Sequence, residues 1–171
     1  MEFFEVIERR HSVRSYRKDP VEEEKIHLIL KATGKAPSAG DLQAFEVVLI
    51  RDERKKAQIA RFALNQWFIA EAPAVFVFFA NPDRNAWKYG RRGIELYSLQ
   101  DATIACVYAQ LAATALGLGT CWVGAFDEKG LKQLLDVPAS WKPVSILTLG
   151  YPAEEPLPAP KRSVEDFLHI R

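Results

Sequence analysis

Apolar side chains recur every three or four positions in several stretches of the chain, which is the spacing of one face of an α-helix. In the first part of the chain these stretches are residues 2–10, 21–33 and 53–64. The second stretch is marked at both ends, by Asp19-Pro20 as a helix-start signal and by Gly34 as a stop. We therefore expect helices in all three, with a basic loop between the first two.

Short runs of apolar and β-branched residues lie between the helical stretches and predict strands. The runs are residues 45–50, 74–80, 121–123 and 144–149. Residues 74–80 are apolar without interruption, which is typical of a strand that is buried on both faces. A further helix is predicted at residues 127–135, because Asp127 is a residue type that caps helix starts. Helices and strands thus alternate along the chain.

Residues 96–118 predict one long helix that is apolar around most of its circumference. Such a helix must be buried on several sides, which is easiest in a small chain if part of it packs against a second subunit. Residues 81–92 break the periodic pattern. The last segment, residues 150–171, is rich in proline and is predicted to be an extended tail that needs another surface to lie against. No repeat or linker divides the sequence, so we expect one domain over residues 1–171.

Composition excludes several classes of function. The 171 residues carry 23 Lys and Arg against 22 Asp and Glu, so no global charge favours a nucleic acid or an anionic membrane as partner. The apolar segments are interrupted or too short for the roughly 20 residues of a membrane helix. The amino terminus lacks the pattern of a secretory signal, and we expect a cytoplasmic location. Cys106 and Cys121 have no metal-ligand spacing and are predicted to be buried, reduced thiols.

A cluster of basic residues follows the first predicted helix, in the order Arg9-Arg10-His11-Ser12-Val13-Arg14. Guanidinium groups beside a hydroxyl are suited to a phosphate, because planar forks form charge-assisted hydrogen bonds. The same residues are also compatible with a solvated basic loop that neutralises the end of a helix. A second pair of cations, Lys161-Arg162, lies in the tail, where it can reach back to a phosphate or simply keep the tail soluble.

Two further segments are rich in small residues. Ala36-Pro37-Ser38-Ala39-Gly40-Asp41-Leu42-Gln43 would let a flat ring approach the backbone, or it is an ordinary turn between elements. The segment from Gly117 to Phe126 has glycines like those of a dinucleotide fingerprint. These glycines end a helix and precede a strand, which is the reverse of the order that such a site requires, so we reject that interpretation. Hydrolytic motifs and metal-ligand spacings are not found.

In their order and spacing, these segments resemble the FMN-dependent nitroreductase family over essentially the whole chain. Arg10-His11-Ser12-Val13-Arg14 resembles the family's amino-terminal phosphate motif, and the segment from Ala36 to Gln43 resembles its second motif. Gln66 resembles an amide residue that meets the flavin ring. The stretch from Gly117 to Phe126 resembles the one that lays main chain along the ring, and Lys161-Arg162 stands where the tail supplies a last cation.

The resemblance implies an α+β fold with a mixed, mostly antiparallel sheet flanked by helices. It also implies an intertwined homodimer with an exchanged carboxyl-terminal segment and FMN at the interface. Arg10, Ser12 and Arg162 would then hold the phosphate, with His11 and Lys161 beside them, and Arg14 would lie near N1 and O2 of the flavin. Pro37, Ser38 and Ala39 would come from the other subunit, Gln66 would bind the pyrimidine edge, and Trp122, Val123, Gly124 and Ala125 would line the ring, the last two beside N5.

The function implied by the resemblance is a transfer of two electrons from NADH or NADPH through FMN to a small organic acceptor, such as a nitroaromatic or a quinone, by a ping-pong mechanism. The cofactor carries this chemistry, so no catalytic acid or base is required from the protein. Two alternatives remain open. One is a non-enzymatic FMN-binding or regulatory protein, and the other is a specialised flavin reaction such as dehalogenation or flavin cleavage on the same fold.

The sequence departs from the family pattern at a few positions. Asp41 stands where the family usually has asparagine, and a carboxylate there would alter the flavin potential or repel an anionic acceptor. Ala44-Phe45 replaces a Pro-Trp pair. Residues 81–95, with Trp87 and Lys88, form either a lid over the acceptor or a plain exposed loop.

Overall fold

The computed structural model describes residues 1–155 and 159–171, which contain one four-stranded sheet. The strands are β1 (Phe45–Ile50), β2 (Ala74–Ala80), β3 (Gly119–Val123) and β4 (Lys142–Gly150). Their spatial order is β1-β2-β4-β3, and neighbours pair antiparallel. The one parallel pairing in the described residues is an isolated bridge between Ser12 and Thr120. The expected α+β fold with helices flanking the sheet is confirmed, and within the described residues the strands of the sheet pair only antiparallel.

Helices cover both faces of the sheet. They are α1 (Phe3–Arg9), α2 (Glu23–Thr33), α3 (Glu53–Phe62), α4 (Phe68–Glu71), α5 (Ala86–Arg92), α6 (Ser98–Ala115) and α7 (Glu128–Leu135). A turn of π-helix, Gly93–Tyr97, leads directly into α6. The predicted cap of α7 is confirmed, because the Asp127 carboxylate accepts a hydrogen bond from the Lys129 N–H at 3.0 Å.

Strand β2 forms the centre of two cores because it lies between β1 and β4. Val75, Val77 and Phe79 face α3, α4 and α7, whereas Ala74, Phe76 and Phe78 face α2 and α6. Successive side chains of a strand point to opposite faces, so an uninterrupted apolar run fills both cores. The prediction that residues 74–80 are buried on both faces is confirmed, since every one of them is at most 1% exposed.

Helix α6 is shorter than the predicted helix of residues 96–118. It ends at Ala115 because Gly117 adopts a left-handed conformation, with φ of 77°, that stops the helix. Its buried side packs on α2 and on the sheet. Apolar side chains on other sides of the helix stay exposed in the single chain, among them Leu99, Val107 and Tyr108.

The structure differs from the sequence prediction in three other places. Helix α2 begins at Glu23 instead of Val21, because Glu22 is the extended N-cap and Val21 is buried in the core ahead of the helix. Residues 81–92 contain a 3₁₀ turn, Pro82–Arg84, followed by α5, although their sequence lacks a helical period. Helix α4 was not predicted, since its four residues are too few to show a period.

Different parts of the tail differ in their contacts and conformation. Residues 151–155 lie against the basic loop of residues 14–17, as described below. Residues 163–168 form a hydrogen-bonded turn instead of the predicted extended chain. Of the predicted tail, residues 156–158, which include Pro156 and Pro158, lie outside the described residues.

Both cysteines are free and buried, as predicted. Burial raises the pKa of the Cys106 thiol to about 12. Its Sγ accepts a hydrogen bond from the Ser145 hydroxyl at 3.3 Å. Cys106 is therefore an inert part of the core between α6 and β4.

Candidate functional site

The basic loop between α1 and α2 is docked along the first residues of β3. The Val13 N–H donates to the Thr120 carbonyl at 2.9 Å, and the Val13 side chain is buried in the core. A Cβ on Gly119 would lie 2.8 Å from Cγ2 of Val13, so only glycine permits this close approach. The backbone of the basic loop is thus fixed relative to the sheet.

A buried hydroxyl anchors the same loop to β4. The Tyr16 Oη lies 2.6 Å from the Val13 carbonyl oxygen and 2.6 Å from the Thr148 Oγ1. The Tyr16 hydroxyl donates its one proton to the Val13 carbonyl, so in the bond between the two hydroxyls Thr148 is the donor. The Thr148 Oγ1 also accepts the Cys121 N–H at 3.0 Å, and the Cys121 carbonyl, at 3.3 Å, is a second and more distant acceptor for its proton. Burial raises the pKa of Tyr16 well above its ordinary value, which keeps the hydroxyl protonated as this arrangement requires.

The segment that follows β4 holds the loop from its other side. The Arg17 N–H donates to the Tyr151 carbonyl and the Ala153 N–H donates to the Ser15 carbonyl, both at 2.9 Å. The Glu154 carboxylate accepts hydrogen bonds from two successive backbone N–H groups, at 2.6 Å from Arg14 and 3.1 Å from Ser15. These contacts involve the main chain of the loop and do not engage the Arg14 guanidinium.

The middle of the basic loop lies beside the start of β3, because Ser12 pairs with Thr120 in an isolated parallel bridge. Burial raises the pKa of the Cys121 thiol; the positive charges of Arg14 and Arg10 and the Ser12 hydroxyl oppose that rise, and the Glu154 carboxylate adds to it. The Arg14 guanidinium also lies 6.0 Å from the ring centre of Phe68 on α4.

The residues predicted to meet the flavin ring lie shortly before α4 and directly after β3. Gln66 comes two residues before Phe68 and donates its side-chain amide to the Ala63 carbonyl at 2.9 Å. Gly124 and Ala125 follow β3 and are exposed. The loop that contains them is tied to the end of α3, because the Asp127 N–H donates to the Phe62 carbonyl at 2.8 Å.

The second predicted motif forms a tight turn that is held from inside the protein. Asp101 of α6 is buried, and its two carboxylate oxygens accept hydrogen bonds from the Ala39 N–H at 2.9 Å and the Ala44 N–H at 3.1 Å. The Ser38 hydroxyl accepts from the Gln43 N–H at 3.0 Å. Gly40, with φ of 59°, lies between these anchors.

Residues 81–95 cover the outer side of this turn. The Lys88 ammonium lies 2.7 Å from the position that a Cβ on Gly40 would occupy, and the Tyr89 hydroxyl is closer still. The Arg84 guanidinium donates to the Leu42 carbonyl at 3.0 Å. The segment is therefore helical and packed on the second motif, not a plain exposed loop, although Trp87 remains 74% exposed.

Within one chain the predicted site residues fall into separate regions. Pro37, Ser38 and Ala39 line a cavity of about 600 Å³ beside the start of α6. His11 lines a different cavity, of about 630 Å³, with Thr114. No hydrogen bond or ion pair among the described residues joins the second motif to Arg10, Ser12 or Arg14, and neither of these two cavities is lined by both.

The remaining predicted residues differ in what they expose. Val123 is buried in the core that includes α3, α4 and α7, and Trp122 packs against the core on the other face of the sheet. At these two positions β3 can therefore offer a ligand mainly its backbone. Lys161 and Arg162 are exposed. The Arg162 guanidinium lies 5.8 Å from the ring centre of Phe167, so its described contact is within the tail.

Three residues that position the site were not predicted: Tyr16, Asp101 and Glu154. Asp101 carries a recognisable signal, because it is the only charged residue in the apolar stretch 96–118 and a buried carboxylate needs hydrogen-bond partners. Tyr16 and Glu154 carry none, since their partners are 132 and 140 residues away in the sequence.

The sequence matches the family model described as "Nitroreductase family" over residues 7–85 and 63–151. The chain belongs to the nitroreductase family. It is 30% identical to the NADH dehydrogenase of Thermus thermophilus, over 92% of this chain and 90% of that protein. It is 31% identical to an FMN reductase (NAD(P)H) of Bacillus subtilis, over 92% of this chain and 69% of that protein. The predicted family is confirmed.

Solved structures agree with this family assignment. The NADPH:FMN oxidoreductase of Vibrio harveyi, complexed with NAD+, superposes with a TM-score of 0.90 at 25% identity, over 98% of this chain and 76% of that one. The predicted nitroreductase-like fold is confirmed. In the described residues, no helix has the length and apolar character needed to cross a membrane.

The position of the basic loop depends on the Tyr16 hydroxyl, which yields a first prediction. We expect Tyr16→Phe to lower the free energy of unfolding by about 1–3 kcal/mol, because two buried partners each lose a hydrogen bond. Urea unfolding followed by tryptophan fluorescence measures this loss.

Tyr151→Phe is the matched control, because its hydroxyl donates to Glu22 and accepts from Lys25 near the surface, outside the core. Its loss should stay below about 1 kcal/mol, because charged partners near the surface can bind water instead. Equal losses in the two variants would contradict the anchoring role of Tyr16.

Proposed function

We propose that this chain is an oxidoreductase that holds FMN and passes two electrons from NADH or NADPH to a small organic acceptor, such as a nitroaromatic or a quinone. At the level of the family, the prediction of an FMN- and NAD(P)H-dependent oxidoreductase is confirmed, because relatives are named FMN reductase and NADPH-flavin oxidoreductase. The acceptor and the ping-pong order of events are proposals.

The observation that carries the proposal is the pairing pattern of the arginines in the basic loop. Arg9 pairs with Glu5 at 3.0 Å and Arg17 pairs with Asp19 at 2.6 Å. Neither Arg10 nor Arg14, which lie between them, forms an ion pair with any described residue. Two guanidinium groups without an ion-pair partner among the described residues, with a hydroxyl between them in sequence and on a loop that pairs with β3, suit a phosphate monoester.

The carboxylate nearest to Arg14 does not neutralise it through an ion pair. Glu154 instead uses its Oε1 to accept two backbone N–H groups of the loop. This contact fixes the main chain while the guanidinium stays available for an anionic ligand. The charge and hydroxyl donors of the loop therefore fit the phosphate of FMN.

The backbone after β3 fits a flat ring. A Cβ on Gly124 would meet only the Trp122 Nε1, at an ordinary contact distance of 3.5 Å, so the surface beside Gly124 and Ala125 is open. We propose that a backbone N–H there donates to the ring and that Gln66 binds its pyrimidine edge. Arg14 would stabilise the negative charge that reduction places near N1 and O2. FMN, when bound, supplies the two-electron chemistry that links the nicotinamide donor to the acceptor.

We further propose that the site is completed by a second copy of the chain. Pro37, Ser38 and Ala39 line a cavity that the basic loop does not reach, so the predicted set of residues is divided within one chain. Many of the apolar residues that remain exposed in the single chain lie on α1, α6 and the tail. They include Phe3, Phe4, Leu99, Val107, Val164 and Phe167. Among the described residues β1 pairs only with β2, so its outer edge is open to an exchanged tail, which would bring Lys161 and Arg162 to the partner's phosphate.

A substitution at Arg14 tests the proposed phosphate and ring contacts. We expect Arg14→Ala to raise the dissociation constant for FMN by about 10- to 100-fold, because a charge-assisted hydrogen bond contributes about 1.5–3 kcal/mol. Quenching of FMN fluorescence measures the constant.

Arg51→Ala is the control, since Arg51 pairs with Glu23 on the surface. It should leave the constant within about twofold of that of the unchanged protein, because a surface ion pair contributes little. If Arg14→Ala binds FMN as tightly as the unchanged chain, the proposed contact is wrong.

The reaction itself is tested by an anaerobic absorbance titration of the FMN-reconstituted protein with NADH, with NADPH, and then with a quinone. We expect the flavin bands to bleach with at least one nucleotide and to recover with the quinone. Bound flavin that neither nucleotide reduces would favour the FMN-binding alternative. A protein that binds no flavin would refute the proposal.

A further inference from the structure

We propose that Asp101 is a positioning residue for the FMN site, because its buried carboxylate holds the second-motif turn in the shape that receives the cofactor. The proposal rests on the proposed function. Asp101 lies on α6, outside every segment of the sequence that carries the family resemblance, and it contacts the second-motif turn from there.

The contacts of Asp101 span the two ends of the turn. One carboxylate oxygen accepts the Ala39 N–H at 2.9 Å, and the other accepts the Ala44 N–H at 3.1 Å. The residue is only 2% exposed, and in the described part of the chain it has no ion-pair partner. A buried carboxylate is costly unless hydrogen bonds compensate for the lost water, and these two backbone donors provide that compensation.

The turn needs such an anchor because its backbone is strained. Gly40 and Asp41 each have a φ of 59°, and Gln43 has a φ of 48°. A left-handed conformation costs a residue with a side chain about 1–2 kcal/mol, so Asp41 and Gln43 favour relaxation of the turn. Hydrogen bonds to Ala39 and Ala44, on either side of the strained residues, oppose that relaxation.

The same carboxylate links the turn to the cavity where the proposed cofactor contacts lie. Pro37, Ser38 and Ala39 line this cavity together with Asp101 and other residues at the start of α6. A change in the position of Ala39 would therefore change the surface that meets the ligand. Asp101 acts on the ligand through the turn and contributes no chemistry to the reaction.

Asp101→Asn tests this role with little change in shape. The amide can present only one acceptor oxygen, and its NH₂ group faces a backbone N–H that is also a donor. In the apoprotein, we expect hydrogen exchange of the Ala39 or Ala44 amide to speed up by about tenfold or more. We expect the dissociation constant for FMN to rise by about tenfold or more as well, while kcat at saturating FMN stays within about twofold.

Ser145→Ala is the matched control. It also removes a buried polar group that packs against α6, but the partner of Ser145 is Cys106 and not the turn. We expect this variant to be less stable, with an unchanged dissociation constant for FMN. Equal weakening of FMN binding in Asp101→Asn and Ser145→Ala would mean that Asp101 acts only through general stability, which would overturn the proposal.

Asp101→Glu keeps the carboxylate but moves it by one methylene group. This variant provides the test if Asp101→Asn does not fold. We expect its FMN affinity and amide exchange to lie between those of the unchanged protein and of Asp101→Asn.

Either variant would overturn the proposal if its Ala39 and Ala44 amides exchanged rapidly yet it bound FMN as tightly as the unchanged protein. An unchanged protein that binds no FMN would overturn the proposed function and this proposal together, whereas normal binding by both variants would overturn only the role of Asp101.

Discussion

The buried hydroxyl of Tyr16 joins three separate parts of the chain and determines where the basic loop lies. It bonds to Val13 within the loop and to Thr148 on β4, and Thr148 in turn accepts the Cys121 N–H of β3. If the loop moved away from β4, the bond between the Tyr16 and Thr148 hydroxyls would break, and both buried hydroxyls would lose a partner. The direction in which Arg10, Ser12 and Arg14 project is therefore a consequence of a hydrogen-bond chain beneath them. The Glu154 carboxylate completes this fixation by holding the backbone N–H groups of Arg14 and Ser15.

Rigid placement of unpaired cations is what makes this loop suited to an anion. No described carboxylate forms an ion pair with Arg10 or Arg14. Their neighbours Arg9 and Arg17 have such partners, so the lack of pairing is local and does not reflect a general shortage of acidic residues. A phosphate bound at the proposed site would give both guanidinium groups an anionic partner and charge-assisted hydrogen bonds. Since the loop is already held by Tyr16 and Glu154, little conformational entropy would be lost on binding.

The sequence predicted the elements whose pattern is local and missed the contacts that join distant segments. All four strands were predicted because their apolar runs fill the two cores, as in β2, and Asp127 identified the start of α7. Helix α5 was missed because contacts with the second-motif turn, such as Arg84 to Leu42, replace a periodic apolar face. At the site, the arginines were recognised from their spacing and from the family resemblance. Their supports, Tyr16 and Glu154, were not, because tertiary pairing over more than 130 residues leaves no local pattern.

The two halves of the candidate site are held by different parts of the fold, which has a consequence for assembly. The basic loop is fixed to β3 and β4, whereas the second motif is fixed to α6 through Asp101. Each half is rigid in the single chain, so the proposed dimer would bring together two preformed surfaces without refolding either one. FMN that contacts both halves would bind the dimer more tightly than the single chain, and by linkage it would then favour the dimer. Helix α6 carries both Asp101 and exposed apolar side chains. Burial of those side chains in the proposed interface would therefore also stabilise the second-motif turn that Asp101 holds.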